Sequence, residues 1–419
     1  MEIKGEEIIR EKALLAGLNA DVFTKEENAT EESLDELEAL LETAGAISVG
    51  RCLQKRHAPD PHSFLGEGKV EEIRELAEAA EASLLIFDNP LTPSQIRVLE
   101  ELTGLTVLDR SALILDIFAQ RAKTKEGSLQ VELAQYEYLL PRLSGMGTSM
   151  SRLGGGIGTR GPGESKLETD RRHIRERIHR LKEELDEVRR VRSVQRERRI
   201  QNSIPVVAIV GYTNAGKSTL LNLLTGAGIP ANDRLFDTLD TTTRHLQVSD
   251  TLEILLSDTV GFISKLPHDL IDAFKATLEE LRYADLLLHV IDSSDPEREA
   301  HMEVTEALAA ELAPQVPMLR CFNKADLVSP EDIPHGKGIV ELSARTGEGV
   351  PELLKAIEEA LGRGLHRVTL LLPYSAAAWV DTLHNKAKIL RCEYLDRGIE
   401  LETVCDDILY GKLKEYERK

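Results

Sequence analysis

Gly211-Tyr212-Thr213-Asn214-Ala215-Gly216-Lys217-Ser218 places two glycines, a lysine and a serine at the spacing G-x-x-x-x-G-K-[ST]. Residues of these types at this spacing make a phosphate-binding loop. The glycines let backbone N–H groups curl around an anion, and the helix that follows aims its N-terminus at it. In such a loop Lys217 bridges the β- and γ-phosphates and Ser218 binds Mg²⁺. Gly211, Asn214, Ala215, Gly216 and Thr219 complete the cradle. The chemistry indicated is that of a nucleoside triphosphate.

Three further motifs narrow the nucleotide. In Asp258-Thr259-Val260-Gly261, the aspartate can hold a Mg²⁺ water and the Gly261 amide can sense the γ-phosphate. In Asn323-Lys324-Ala325-Asp326, Asp326 can accept from the guanine N1–H and exocyclic amine, an arrangement adenine does not offer. A site built for those donors discriminates strongly, because the wrong base leaves buried polar groups unpaired. Ser343-Ala344-Arg345 supplies a backbone contact to the guanine carbonyl. Each motif alone is weak, but four in this order imply a GTP/GDP site with Mg²⁺.

Leu239-Asp240-Thr241-Thr242-Thr243-Arg244 stands where a first switch loop belongs. Of its three threonines Thr242 is favoured as the Mg²⁺ ligand, which makes Lys217, Thr242 and Gly261 the candidate catalytic set. Loops held by the γ-phosphate and freed on hydrolysis are a two-state element. Phe262 occupies the position where many GTPases place a water-orienting glutamine. Slow intrinsic hydrolysis, completed by a partner, is therefore expected. Asn214 is a candidate K⁺ ligand near the β,γ-bridge, with a loop-stabilising hydrogen bond as the alternative.

Elements must hold these motifs in place. Val206–Val210, Glu253–Leu256, Leu286–Ile291, Met318–Phe322 and Ile339–Leu342 are apolar runs of buried-strand length, each leading into a polar or glycine motif. In open α/β sheets ligands bind at the strand C-termini. The fold class expected is multidomain α/β. Its parts are a small N-terminal α/β domain over 1–125, a helical hairpin with a glycine-rich tip over 126–202, a P-loop GTPase domain with a doubly wound, mostly parallel sheet over 203–362, and a small C-terminal α+β domain over 363–419. In the first part, Ser83–Asp88 and Thr106–Leu108 read as strands. Glu32–Glu42, Pro93–Leu102 and Ser111–Gln120 read as helices. Residues 367–419 read strand, helix, strand, strand, helix, with Trp379 in a packing role.

The hairpin is read from two apolar seams. Leu129, Leu133, Tyr136 and Leu140 recur at heptad-type spacing, as do Ile174, Ile178, Leu181, Leu185 and Val188. Residues 165–199 as one helix would span ~50 Å. Between the arms, Gly154–Gly163 is too rich in glycine for a helix or strand interior. It is either a linker or a tip carrying Arg152 and Arg160 close to another surface, and the second reading is preferred.

Charge supports a localised contact. The net charge of the 419 residues is −20, which taken whole argues against a nucleic-acid coat. Yet residues 142–200 hold 16 Lys and Arg against nine Asp and Glu, a basic island between acidic flanks. Arg152, Gly155, Gly156, Arg160, Arg171, Arg172 and Arg175 are the candidate RNA contacts. A merely solvated helix face is the alternative.

The four cysteines, Cys52, Cys321, Cys392 and Cys405, lack metal or redox spacing, as suits a reducing cytosol. The acidic opening Met1-Glu2-Ile3-Lys4-Gly5-Glu6-Glu7 is unlike a secretory signal, and no apolar run reaches ~18–20 residues. A cytoplasmic protein, at most peripheral at a membrane and monomeric when free, is expected.

With these residues in view the chain resembles the HflX family of ribosome-associated GTPases over nearly its whole length. The resemblance lies in Pro93-Ser94-Gln95, Leu113–Ala122, Leu129–Gln135, Gly154–Glu164, Gly211–Thr219, Asp258–Phe262 and Phe274–Glu279. Ile157-Gly158-Thr159-Arg160-Gly161-Pro162-Gly163-Glu164 is not shared with GTPases generally and so identifies the family. Thr241 departs from the usual proline, and Leu153 from a frequent glutamine. The resemblance implies binding to the large ribosomal subunit and its rRNA near the peptidyl-transferase region, and splitting or rescue of stalled ribosomes under stress. It also implies an ATPase activity of the N-terminal lobe, for which no motif is found. Competing readings are a GTPase of ribosome assembly or tRNA modification, and a protein-interaction switch docking through the hairpin.

Overall fold

The computed structural model describes residues 10–25, 27–143, 162–201, 204–226, 235–236, 242–249, 252–259, 261–265, 279–361 and 365–418. The chain forms two compact units. The first comprises Met1–Asp186 with Asn232–Asp240 and Ile263–Ala276, and the second the remaining residues.

The first unit is built on a four-stranded parallel sheet. Its elements are β1 (Lys12–Ala20), α1 (Glu31–Ala44), β2 (Ile47–Arg56), α2 (Glu67–Ala80), β3 (Leu84–Phe87), α3 (Pro93–Thr103), β4 (Thr106–Asp109) and α4 (Arg110–Arg121). The strand order is β2-β1-β3-β4, so the chain reverses direction across the sheet at β1. Leu14, Ala16 and Leu18 of β1 share a core with Val70, Ile73 and Leu99 of α2 and α3. Ala13 and Leu15 point to the other side and are equally buried, as are Leu34 and Leu37 of α1 and Ile114 and Phe118 of α4. Burying each such leucine contributes about 1.5–3 kcal/mol. Helix boundaries follow local chemistry. Thr30 and Ser33 form a capping box before α1, and Gly45 ends it in the left-handed conformation at φ 97°.

Two longer helices follow, α5 (Lys125–Arg142) and α6 (Pro162–Gln201). Forty residues make α6 about 60 Å long at ~1.5 Å per residue. Leu129 and Leu133 on α5 and Leu181 and Leu185 on α6 are buried. The two helices are also tied by charge. Arg177 forks onto both oxygens of Glu132 at 2.8 Å, and Lys182 Nζ lies 2.9 Å from Glu137.

The second unit contains a six-stranded sheet. Its elements are β5 (Val206–Val210), α7 (Lys217–Thr225), β6 (Thr242–Gln247), β7 (Glu253–Asp258), β8 (Leu286–Asp292), α8 (Arg298–Leu312), β9 (Met318–Asn323), β10 (Ile339–Glu341) and α9 (Val350–Leu361). The order is β10-β9-β8-β5-β7-β6, parallel except for β6 against β7. The apolar runs Val207 to Ile209, Ile254 to Leu256 and Leu286 to Val290 fill its core together with Leu220 and Leu353. Because β5 sits between β7 and β8, its C-terminal end is the switch point at which open α/β sheets bind ligands.

The chain ends with β11 (Leu365–Leu372), α10 (Ala378–Lys386), β12 (Lys388–Leu395), β13 (Gly398–Asp406) and α11 (Asp407–Leu413). The three strands form an antiparallel sheet in the order β11-β13-β12, and Trp379 packs half-buried against its core.

Candidate nucleotide site

Residues 211–216 form the loop that leaves β5 at the switch point, and α7 begins at Lys217. Gly216 adopts φ 92°, and a Cβ there would stand 2.2 Å from Asn323 Nδ2, so only glycine lets the loop pass so close. Asn323 is buried and ties three motifs together. Its Nδ2 donates to the Ala215 carbonyl at 2.8 Å, and its Oδ1 accepts from the Ala344 amide at 2.8 Å. Asn214 is exposed in the left-handed conformation at φ 62°.

Lys217 is only 6% exposed, and its Nζ donates to the Tyr212 carbonyl at 2.7 Å. Burial pushes its pKa down to about 8, against the pull of Asp258. A Cβ on Gly261 would lie 2.9 Å from that ammonium, so Lys217 runs past bare backbone. Ser218 Oγ donates to Asp258 Oδ2 at 3.1 Å, with Asp258 fully buried at the end of β7. Two hard oxygens converging beside a phosphate loop are a donor set that suits Mg²⁺. Thr219 lies in the first turn of α7.

Thr242 differs from its expected place in a loop. It is the first residue of β6, in register with Asp258, while Thr243 pairs with Ser257. Backbone pairing to β7 draws the end of this segment into the sheet. Thr241 lies outside the described residues. The side chains of Thr213 and Ser257 are buried, and their hydroxyls make no hydrogen bond among the described residues.

On the base side, Asp326 Oδ1 accepts from Ser343 Oγ at 2.6 Å and Oδ2 pairs with the exposed Arg345 guanidinium. Ser343, then Arg345, hold the Asp326 carboxyl below the usual carboxylate range. Lys324 is left-handed at φ 60° and its Nζ reaches Asp292 Oδ2 at 2.6 Å. Phe262 is buried. Its amide donates to the Gly211 carbonyl (3.1 Å) and its carbonyl accepts from the Thr213 amide (2.7 Å). A phenyl ring there has no group with which to orient water.

Sequence reasoning missed several contributors. Asp292, at the end of β8, is the partner of Lys324. Thr259 Oγ1 donates to the Ile209 carbonyl at 2.6 Å and pins β7 to β5. His289 is buried 3.5 Å from Glu306, and burial pushes it down to about 4, so it is neutral at pH 7. Asp292 and His289 carry no spacing signal, because each matters only through a contact with another element, and Thr259 fills a variable position of its motif.

Of the candidate RNA contacts, Arg172 and Arg175 are exposed on α6 and Arg171 is half-buried. Arg172 Nε is 3.8 Å from Glu176. Arg152, Gly155, Gly156 and Arg160 lie outside the described residues. Among the described residues no helix is long and apolar enough to cross a membrane.

A phosphate loop at the switch point of a mostly parallel sheet, joined through Asn323 to a guanine motif, defines a P-loop guanine-nucleotide-binding protein that hydrolyses GTP. Residues 206–324 match the family model described as 50S ribosome-binding GTPase. Residues 31–119 and 121–199 match those of the GTP-binding GTPase N-terminal and middle regions. The chain is 49% identical to the GTPase HflX of Caldanaerobacter subterraneus subsp. tengcongensis, over 90% of this chain and 88% of that one. It is 46% identical to that of Lacrimispora saccharolytica, over 97% and 96%, and 47% identical to that of Escherichia coli, over 84% of each. The chain belongs to the HflX family of GTPases.

Proposed function

We propose that the chain is a GTP-gated factor that docks on the large ribosomal subunit and acts in splitting or rescuing stalled ribosomes. The observation that carries this reading is the row of exposed arginines on α6, an arginine-rich helix between two acidic stretches, in a chain whose HflX relatives match it over 84% to 97% of its length. Exposed Arg172 and Arg175, with Arg152, Arg160, Gly155 and Gly156, would meet rRNA phosphates, and the acidic flanks would limit stray binding. Residues 126–202 would act as the contact domain, 203–362 as the GTPase and 1–125 and 363–419 as flanking domains.

The nucleotide would lie along the loop from Gly211 to Thr219, its guanine held by Asn323, Asp326 and the Ala344 amide. Lys217 would draw charge from the β- and γ-phosphates, and the Gly261 amide would report the γ-phosphate. Mg²⁺ held by Ser218, Asp258 and Thr242 would neutralise the β,γ-oxygens. Asn214, exposed within the loop, would hold K⁺ at the site, and a rate no faster in KCl than in NaCl would rule that role out. With Phe262 in the glutamine position, ribosomal contact would supply what orients the water.

Sedimentation with purified subunits tests the reading. The protein is expected to pellet with the large subunit in a non-hydrolysable GTP analogue and to be released in GDP, with binding that weakens steeply as salt rises. Arg171, Arg172 and Arg175 replaced together by glutamate should abolish pelleting without weakening GTP binding. Binding indifferent to nucleotide would sink the proposal, and preference for tRNA would favour an RNA-modification role instead.

A further inference from the structure

Tyr212 is the first variable residue of the phosphate loop, and none of the loop's chemistry explains its ring. Its backbone is already committed. The carbonyl holds Lys217 Nζ at 2.7 Å, and Tyr212 bridges Phe262 in the parallel sense. The ring is 7% exposed and lies flat on the imidazole of His301, with centroids 3.6 Å apart and planes at 11°. His301 sits in the first turn of α8 and has its own brace. Its Nδ1 is 3.0 Å from Asp295 Oδ2, and this contact is the main reason the Asp295 carboxyl lies below the usual range. Asp295 is fixed in turn, because its Oδ1 accepts from the Glu297 amide at 2.9 Å.

These contacts form a single line from α8 to the phosphate site: Asp295, His301, the Tyr212 ring, the Tyr212 carbonyl, the Lys217 ammonium. We propose that His301 is a positioning residue for GTP, clamping the Tyr212 ring so that the Tyr212 carbonyl holds Lys217 in its phosphate-facing position. The arrangement meets a specific need. Lys217 is long and buried, and Asn214, two residues after Tyr212 in the loop, is already in a left-handed conformation. A loop of this kind stays in one shape only if something outside it holds the shape. Beside the stack lies a small, half-open pocket of about 10 Å³, scarcely the room of one water, lined by Tyr212, Thr213, His289, Asp292, Asp295 and His301 itself. Removing the imidazole would uncover the face of the tyrosine ring and let it tilt into the vacated space, taking its carbonyl with it.

The test is equilibrium binding of fluorescent GTP analogues to the full chain, with steady-state hydrolysis alongside. A stacked aromatic pair is worth roughly two- to tenfold in an equilibrium constant. His301→Ala should therefore weaken GTP binding measurably, by up to about tenfold. His301→Phe keeps a ring in the stack and should stay within about twofold of the parent. In a Tyr212→Ala background, His301→Ala should cost nothing further, because both act through the same carbonyl. A merely structural histidine would give a different pattern, with lower melting temperature, additive losses and no rescue by phenylalanine. Unchanged GTP affinity in His301→Ala, additivity with Tyr212→Ala, or a folded His301→Phe as weak as His301→Ala would each overturn the proposal.

Discussion

At the end of β3, Asp88 is buried against Arg110 at 2.7 Å, Ser33 at 2.7 Å and the ammonium of Lys265, and Arg110 also reaches Glu36. At the end of β7, Asp258 is buried as deeply, yet the nearby Lys217 is turned to the Tyr212 carbonyl instead of onto it. Both aspartates stand at the C-terminal edge of a parallel sheet next to the point where strand order reverses, so topology alone would nominate either as a ligand site. The difference lies in how the polar groups are satisfied. In the first unit the buried carboxylates and the Asn89 amide are answered by neighbouring groups. Asn89 bonds both backbone groups of Leu18 and the Glu27 carbonyl, and Asp109 is held by Tyr138 and Arg142. In the second, Thr213 and Ser257 keep buried hydroxyls with no partner among the described residues, and a lysine is held at a depressed pKa by burial. Polar groups closed on themselves are architecture, and polar groups held open await a ligand.

The same operation on each cation should therefore give opposite results. Arg110→Ala leaves Asp88 and Glu36 buried without their guanidinium and should cost about 3–5 kcal/mol of stability, with nucleotide binding reduced only as far as the fold is lost. Lys217→Ala removes a buried charge and should leave the melting temperature unchanged or raised, while GTP affinity falls at least ~100-fold, about 2.7 kcal/mol. Calorimetry and nucleotide titration on both variants check this. A destabilised Lys217→Ala beside an unaffected Arg110→Ala would break the contrast.

A smaller effect should appear on the pH axis, and only for the open site. In the free folded protein Lys217 titrates near 8, below the ordinary lysine value that applies to the unfolded chain. Between about pH 8 and pH 10.5 the unfolded chain thus carries more protons at this group, and its contribution to stability rises with pH across that window. Binding runs the other way. Phosphate charge favours the protonated lysine, so GTP affinity should fall by up to about tenfold per pH unit above 8, with uptake of close to one proton. Calorimetric titrations in buffers of different ionisation enthalpy at pH 7 and pH 9 measure the uptake. Equal uptake at both would show that Lys217 is fully charged before the nucleotide arrives.

How far these two regions were legible in the sequence follows from the same contrast. The open site was legible because its residues are consecutive. Gly211 to Ser218 and Asn323 to Asp326 are short words at strand ends, and their strands, such as Val206–Val210, are unbroken apolar runs. The closed cluster was invisible, being assembled from Glu36, Asp88, Arg110 and Lys265, which share no period. Strand β1 was missed because Ala13 to Leu18 contains alanine, leucine and glycine but no β-branched residue, and a fully buried run of that kind has no strand periodicity. Strand β2 was missed for the opposite reason. It is an edge strand carrying Arg51, Gln54, Lys55 and Arg56, too polar to read as a strand. Strand β6 looks like a loop in the sequence because Thr242-Thr243-Arg244-His245 lacks an apolar face and owes its conformation to pairing with β7.

The finest test of the contrast uses hydroxyls. Ser33 Oγ donates to Asp88 and accepts from the Thr30 amide, so Ser33→Ala should cost about 1–2 kcal/mol. Thr213 Oγ1 is buried more deeply but has no partner among the described residues. Thr213→Val keeps the shape and removes a desolvated group, so the free protein should lose nothing and gain up to about 1 kcal/mol. If the hydroxyl is held open for the nucleotide, the same variant should bind GTP about two- to tenfold more weakly, and the gain in melting temperature should shrink once nucleotide is present. Thr213→Val that loses stability in the free protein would show the hydroxyl already satisfied, and the phosphate loop would then be as self-contained as the cluster around Asp88.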